Sequence, residues 1–498
     1  MKYQPILFSL SLVFLILSCG CEDQKSGHSR EKRDMFVSDL GRADIAQSDS
    51  GVALVEKDMP SDQQDMLDIE EIVFNQNAIF VSTAGMDSND GRTVETPFRT
   101  MTKAAAIAIA GETIYVEAGT YENEIVVFEN NGEEDSPITL EGYQRTPGDR
   151  PTYKNFDEKT LLDPTLMPLL DGGDRSQGIG ITMFGSFLIT RNLAIRNVAR
   201  GIYGYGAQHS EVHRVYISTL GENNEEAYSG KGIIFGSDAS YNLIKDSVVI
   251  DAGAEGIAAL GQNNRIDNCT VISTSKEEND NSTDYYLFVD GSDNIIEHSR
   301  AIRIGEQEHV GHGIGLKGDC ENNILRNNLA DGFAGASFYA RHRGVRNNLY
   351  KNNRAVNGEM GMNFRDGASG NIVEGFTTQN MDWPIIFLDS DEDGGKTFSG
   401  KDNIVRDCHF KNTRKAIVAF HDYLYDDIFA ESNLIENCVI EDSPYLFDVR
   451  SKGKNNIFKD SILKNVSEYA TFKSGKVESD IGFTFENIIQ ENNGFVLP

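Results

Sequence analysis

The sequence is poor in cysteine, in basic residues and in hydrophobic residues. Six cysteines among 498 residues are too few for a disulfide framework. Its 46 basic residues stand against 77 acidic ones, and the resulting net charge of −31 argues against nucleic acid as a partner. Only 39% of the residues are hydrophobic, and 47 are glycine, which suits a thin, elongated core with many turns.

The chain has one N-terminal apolar run, residues 6–17, which is too short to span a bilayer. Lys2 precedes it, and the sequence Ile-Leu-Ser-Cys ends it at Cys19. This pattern resembles the bacterial lipoprotein signal with its lipobox more than an ordinary signal peptide or a transmembrane helix. The resemblance implies a signal peptide at residues 1–18, a lipid anchor on Cys19 and, because Gly20 follows, an outer-membrane or cell-surface location in the cell envelope.

The next segment, residues 19–71, is acidic and polar. It cannot bury enough apolar surface to order itself, so we predict a disordered tether. Residues 72–498 remain as one folded domain.

The folded part repeats a short phrase, an Asn followed by aliphatic residues, at spacings of 22 to 32 residues. Such spacing is typical of a solenoid, and each unit is as long as a strand and too short for a helical repeat. We therefore predict an all-β parallel β-helix in which the Asn amides bond from coil to coil. The phrases begin at Asn242, Asn264, Asn294, Asn323, Asn348, Asn371, Asn403, Asn433 and Asn456.

The fifth position after each Asn is mostly a small residue, so we predict that it points inward. Cys269, Cys408 and Cys438 fall in this column, which favours packed thiols over disulfides or metal ligands.

The start of the folded part contains a strand at residues 79–81, an alanine-rich helix at 103–110, a strand at 113–116 and a turn at 119–121. This passage resembles the N-terminal cap of the pectin-lyase superfamily. The resemblance implies a single-stranded, right-handed parallel β-helix whose first coil is capped by the helix.

Aligning the strand before each Asn phrase by its inward aliphatic residues gives two outward columns. In one of these columns, Lys317, Arg341 and Arg365 belong to successive coils, where like charges repel one another. On so acidic a chain, this cluster predicts an anionic ligand. The alternative is that they pair with Asp319, Asp366 and Asp389. The last outward column reads Lys317, Arg341, Arg365, Asp389, His421 and Arg450, and the column before it includes Tyr339, Asn363, Phe387 and Asp448.

The strand end at residues 362–365, Met-Asn-Phe-Arg, resembles the polysaccharide lyase family that includes chondroitinase B and alginate lyases. The resemblance implies a catalytic role for Arg365 and a calcium ion at the substrate carboxylate. The chain departs from that family in having Asp366 where the family has His, and Arg341 or His342 where it has Lys.

The residue types suit β-elimination on a uronic acid, which requires a base, a cation at the carboxylate and a donor to the leaving oxygen. Lys317 is the predicted base, Arg341 and Arg365 the carboxylate clamp, and Tyr339 or His342 the donor. Further candidates for substrate binding are Asn363, Phe387, His421 and His312.

An acidic loop supplies a candidate calcium site at Asp389, Asp391 and Asp393, since alternating carboxylates that end at a glycine resemble half of a calcium loop. The alternative is a solvated acidic loop.

The sequence as a whole predicts a monomeric, lipid-anchored β-helix protein that cleaves an acidic, uronate-containing polysaccharide, with calcium as its candidate cofactor. Two alternatives stay open: a C5 epimerase, which shares the proton abstraction, and a non-catalytic protein that binds glycans.

Overall fold

The computed structural model describes residues 77–149, 163–222, 229–274, 283–305, 310–389, 398–422, 429–473 and 475–498. The predicted signal peptide, Cys19 and the tether lie outside these residues and stay predictions, as do Asp391 and Asp393 of the acidic loop. No helix in the described ranges is long and apolar enough to cross a membrane.

The chain folds into strands joined by tight turns, with one short α-helix. The first elements are β1 Ala78–Val81, α1 Met101–Ile107, β2 Thr113–Glu117, β3 Gly119–Glu122, β4 Val126–Phe128, β5 Ile138–Tyr143, β6 Pro168–Asp171, β7 Ile179–Met183, β8 Leu188–Arg196, β9 Arg200–Gly204, β10 Glu211–Ile217, β11 Lys231–Phe235, β12 Leu243–Lys245, β13 Val248–Ile250 and β14 Glu255–Ala259. The middle strands are β15 Arg265–Asp267, β16 Thr270–Ser273, β17 Tyr285–Val289, β18 Ile295–Glu297, β19 Arg300–Arg303, β20 His312–Lys317, β21 Ile324–Arg326, β22 Leu329–Asp331, β23 Ala336–Arg341, β24 Leu349–Lys351, β25 Arg354–Val356, β26 Met360–Arg365, β27 Ala368–Ser369 and β28 Ile372–Glu374. The last elements are β29 Thr377–Gln379, β30 Trp383–Asp389, β31 Phe398–Lys401, β32 Ile404–Arg406, β33 His409–Lys411, β34 Ala416–Asp422, β35 Phe429–Glu431, β36 Leu434–Glu436, β37 Val439–Val449, β38 Lys452–Lys454, β39 Asn456–Lys459, β40 Ile462–Phe472, a 3₁₀ turn at Glu478–Asp480, β41 Phe483–Glu486 and β42 Ile489–Glu491.

These strands stack in parallel on three long faces, and each strand pairs with its counterpart one coil later. The face that matters for function, called the site sheet here, runs β7, β9, β11, β14, β17, β20, β23, β26, β30, β34, β37 and β40. A second face begins β1, β2, β5 and continues through β12 and β15 toward β39 and β41. The predicted all-β, right-handed parallel β-helix is confirmed.

The predicted asparagine ladder is present along one turn of the coils from Asn242 to Asn456. From Asn264 onward, the Oδ1 atom of each ladder Asn accepts the backbone N–H of the Asn one coil earlier at 2.8–3.2 Å. The residue before each ladder Asn adopts a left-handed conformation, as at Asn322 (φ 60°) and Asn347 (φ 57°). Because all nine Asn side chains are buried, the ladder satisfies polar groups that water cannot reach.

The column five residues after each Asn points into the core, as predicted. Cys269, Cys408 and Cys438 are buried free thiols, and Cys320 is another.

Helix α1 lies earlier than the sequence predicted, at Met101–Ile107. It starts there because the side chain of Thr100 accepts the backbone N–H of Lys103 at 3.1 Å, and it ends where Ala108 turns to an extended conformation. Met101, Ala104 and Ala105 are buried in the main core. Its role as a cap on the first coil stays a prediction.

The predicted alignment was wrong by one residue at β30. Arg365 pairs with Leu388, and Asp389 lies one residue beyond this column. Phe387 therefore points inward, where its ring stacks between Phe364 and Phe420 at centroid distances of 5.3 and 5.8 Å. Phe387 is fully buried and cannot contact a ligand on the outer face, so its prediction as a substrate-binding residue is wrong.

Candidate functional site

Three cations lie in register at the ends of adjacent strands of the site sheet. Lys317 ends β20 and pairs with Arg341 at the end of β23, which pairs with Arg365 at the end of β26. Strands in a sheet lie about 4.8 Å apart, so the three side chains start from neighbouring points. This set, called the cation column here, was predicted from the sequence.

The arginines of the column are held by a buried carboxylate. Asp366 is fully buried and lies 3.0 Å from Nε of Arg365 and 3.8 Å from Nε of Arg341. Burial lowers the pKa of Arg365, as does the neighbouring Arg341, while Asp366 opposes this shift. The pairing with Asp366 considered at the sequence level is therefore real, and it fixes both guanidinium groups against the sheet.

The column borders a recess on the outer face of β17, β20, β23 and β26, which is lined by Tyr285, His312, Ala336, Tyr339, Arg341, Asn363 and Arg365. Arg341 donates to the hydroxyl of Tyr285, and Nζ of Lys317 lies 4.8 Å from the centre of the Tyr285 ring. The rings of His312 and Tyr339 lie 5.3 and 5.9 Å from that of Tyr285. The recess thus has aromatic walls and a cationic rim.

Oη of Tyr339 and Oδ1 of Asn363 are buried in the recess and have no hydrogen-bond partner among the described residues. Both residues are almost completely buried, so an unpaired donor and an unpaired acceptor are costly there.

The titratable groups around the recess are shifted toward their neutral forms. Burial lowers the pKa of Lys317 and Arg341 lowers it further, against the carboxylates of Asp284, Glu255 and Asp290. A base needs a neutral amine, and this lowered pKa brings that form closer to physiological pH.

The two histidines nearest the column are neutral at neutral pH. Burial, followed by the charges of nearby cations, lowers the pKa of His312 to about 3 and that of His342 to about 4. Nδ1 of His342 accepts the backbone N–H of Gly318 at 3.3 Å, which assigns the ring proton to Nε2. His342 is therefore a hydrogen-bond donor at the edge of the column.

The structure does not bring every predicted residue to this recess. His421 lies on β34, two strands beyond Arg365, and bonds Asp448 at 3.2 Å. Arg450 also binds Asp448. These residues belong to a separate pocket farther along the site sheet.

Sequence reasoning missed Tyr285, which forms one wall of the recess. Tyr285 pairs with His312 in the next coil, so extending the alignment back by one strand would have found it. Burial raises its pKa to about 12, so it is a neutral hydroxyl.

Two of the carboxylates described near the cation column are already paired with cations. Glu255 is paired with Lys231 at 2.8 Å, and Asp366 with Arg365. In the described ranges, one group could offer three ligands, namely Asp267, Glu297 and His298, but it lies at β15 and β18 on the second face. There Arg265 and Arg326 contact Glu297 at 2.5 and 2.6 Å, so its charge is already neutralised.

A family model described as Pel9A-like, right handed beta helix region, matches residues 79–380 and so includes the whole recess. The chain belongs to the Pel9A-like right-handed β-helix family. A general right handed beta helix region model matches residues 312–493.

Individual relatives are distant from this Pel9A-like chain. The uncharacterized protein YwoF of Bacillus subtilis (strain 168) is 39% identical over 66 residues, which are 13% of this chain and 14% of that relative, so the match spans about a seventh of its length. The pectate lyase Pel9A is 16% identical with a TM-score of 0.45, covering 62% of this chain and 79% of its own. An alginate lyase from Paenibacillus sp. str. FPU-7 is 13% identical with a TM-score of 0.34, and the match covers 79% of this chain and 96% of the alginate lyase.

Proposed function

We propose that this protein binds an acidic, uronate-containing polysaccharide across the site sheet and cleaves it by β-elimination. The observation that carries the proposal is the cation column, in which Lys317, Arg341 and Arg365 lie in register at the ends of three adjacent strands. Membership of a family that bears the name of the pectate lyase Pel9A supports a carbohydrate substrate.

The arginines serve as the carboxylate clamp. Arg341 and Arg365 are fixed by Asp366 before any ligand arrives, so little reorganisation is needed on binding. Planar guanidinium groups suit the two oxygens of a uronate, and their charge stabilises the carbanion that forms when the C5 proton leaves.

Lys317 serves as the base, since its amine lies beside the clamp and its pKa is lowered. It takes the C5 proton, the electron pair forms the double bond between C4 and C5, and the bond from C4 to the bridging oxygen breaks. Tyr339 or His342 donates its proton to that leaving oxygen and is reprotonated by water after the product leaves.

Calcium remains a proposal that rests on the acidic loop at Asp389, Asp391 and Asp393, of which Asp391 and Asp393 lie outside the described residues. It would neutralise substrate carboxylates beside the column. Chelation followed by calcium titration tests it: activity that neither falls with chelator nor returns with calcium would remove calcium from the mechanism.

The experiment follows the ultraviolet absorbance of unsaturated uronates during incubation with pectate, alginate and chondroitin, with and without calcium. We expect a rise with at least one of them, its loss in Lys317→Ala with binding retained, and no change in Lys245→Ala, which alters a lysine on the second face. A flat trace for every substrate would overturn the lyase proposal. Deuterium uptake at C5 of the polysaccharide without a rise in ultraviolet absorbance would instead indicate an epimerase. Polysaccharide binding with neither deuterium uptake nor a rise in absorbance would indicate a non-catalytic glycan-binding protein.

A further inference from the structure

A second pocket, of about 530 Å³, lies on the same outer face where β34, β37 and β40 run side by side. Its volume is in the range of small-ligand sites. We call this pocket the distal pocket. It is lined by Arg414, Lys415, His421, Pro444, Tyr445, Asp448, Arg450, Thr471, Phe472 and Lys473.

The distal pocket concentrates positive charge on an acidic chain. Four of its lining residues are cations and one, Asp448, is a carboxylate. Arg414 and Lys415 share Asp382 as a partner, each at 2.6 Å. Among the described residues, four cations thus meet two carboxylates, on a protein whose net charge is −31, and this local excess favours an anionic ligand.

Lys473 is the most available of these cations. Its side chain is exposed, and it has no acidic partner among the residues that the structure describes. It lies directly after β40, at the mouth of the pocket formed with Phe472.

The carboxylate of Asp448 is turned toward protein groups. It accepts from Trp383 Nε1 at 3.1 Å and from Arg450 at 3.0 Å, and it bonds His421 Nε2 at 3.2 Å. Although burial raises the pKa of Asp448, the hydrogen bonds and charges of His421 and Arg450 together outweigh burial and lower it overall. Asp448 therefore orients the cationic and aromatic side chains and is already committed as an acceptor.

The walls of the pocket add flat apolar surface. Phe472 is 39% exposed, Tyr445 is half-buried, and Pro444 lies beside them. Cations combined with exposed aromatic faces match a ring that has an apolar face and an anionic substituent, which is the chemistry of an acidic sugar.

The distal pocket is aligned with the cation column. Arg365 pairs with Leu388, and Leu388 pairs with His421, so two strand spacings, about 10 Å, separate their backbones. We infer that the distal pocket binds a second acidic sugar of the polysaccharide chain whose uronate occupies the cation column. This inference rests on the proposed function.

Trp383 provides a direct test, because it is the single tryptophan of the chain. Lys415 Nζ lies 4.1 Å from its ring centre, and the His421 ring lies 4.8 Å away, so its fluorescence reports on the pocket. The full chain would be titrated with oligogalacturonate, alginate and chondroitin oligosaccharides of graded length, and with neutral cello-oligosaccharides. We expect a saturable change with an acidic series and none with the neutral one.

Lys473→Glu should raise the Kd for the longer acidic oligosaccharides about tenfold, because one cation is replaced by a repelling charge. Lys411→Glu is the matched control, since it makes the same charge change at an exposed position of β33 on another face. An unchanged Kd in Lys473→Glu, or an equal loss in Lys411→Glu, would overturn the inference.

The two proposals fail separately. If ultraviolet absorbance shows turnover but Trp383 fluorescence does not respond specifically to acidic oligosaccharides, the distal-pocket inference is overturned and the lyase proposal stands. A fluorescence change abolished by Lys473→Glu, without turnover of any substrate, would overturn the lyase and keep an acidic-sugar site.

Discussion

Asp366 lies fully buried between Arg341 and Arg365, with its Oδ2 3.0 Å from Nε of Arg365 and 3.8 Å from Nε of Arg341. Asp366 follows Arg365 directly in sequence and adopts a left-handed conformation (φ 55°), which turns its side chain back toward the column. One residue of unusual conformation thus orients two cations of neighbouring coils.

Replacing Asp366 by Asn should destabilise the domain by about 3 kcal/mol, because it leaves buried guanidinium groups without their carboxylate. The midpoint of urea unfolding measures this. Asp319→Asn, an exposed acidic position two coils earlier, is the control and should unfold close to the wild type. Equal midpoints for Asp366→Asn and the wild type would show that Asp366 does not compensate the arginines.

The pH dependence of turnover should report the lowered pKa of Lys317. The base must be neutral, so kcat/KM should rise with pH and level off above a pKa lower than that of an ordinary lysine. Asp290 opposes this lowering, so Asp290→Asn should move the rise to lower pH. Lys317→Arg should show no such rise, since a guanidinium group stays protonated. A rise that persists in Lys317→Arg would assign the base to another residue.

Acid should destabilise the domain partly through His312. Its folded pKa is about 3 against an ordinary value of 6.5, so the unfolded chain binds the additional proton between these values. The stability held by neutral His312 is complete above about pH 6.5 and is lost as pH falls toward 3. The unfolding midpoint of the wild type should therefore approach that of His312→Gln as pH is lowered through this window. Parallel curves for the two proteins would contradict the shift.

Much of the fold could be predicted from the sequence because the asparagine phrase is a local requirement. Each ladder Asn accepts a hydrogen bond from the backbone N–H of the Asn one coil earlier. This hydrogen bond recurs from coil to coil although the loops between the strands differ in length. The register it supplied placed Lys317, Arg341 and Arg365 correctly on neighbouring strands.

The same alternation failed at β30, where residues on both faces are apolar. Ile385 and Phe387 face the main core, while Ile386 and Leu388 pack in a separate cluster with Trp383 on the outer side. A strand that is buried on both faces has no polar residues to show which side faces solvent. The sequence of β30 was therefore compatible with either set of alternate residues pointing into the core.

Some side-chain contacts around these sites could not be predicted from strand alignment, because long side chains cross several coils. Arg341 reaches Tyr285, which lies 56 positions earlier in sequence, and Trp383 reaches Asp448, 65 positions later. Such contacts depend on how side chains fold over the sheet, and a repeat pattern carries no signal for them.

Phe387 provides a test of the corrected register. Because its ring is fully buried between Phe364 and Phe420, Phe387→Ala should destabilise the domain by about 3 kcal/mol or more, through lost packing and a cavity. Phe387→Leu keeps most of the volume, so it should cost less stability and leave the KM for the polysaccharide unchanged. Phe184→Ala is the matched control, since that ring is 52% exposed and its loss should shift the urea midpoint little. A Phe387→Leu protein with wild-type stability and a raised KM would return Phe387 to the ligand-binding face, because only an outward ring could affect binding without affecting the core.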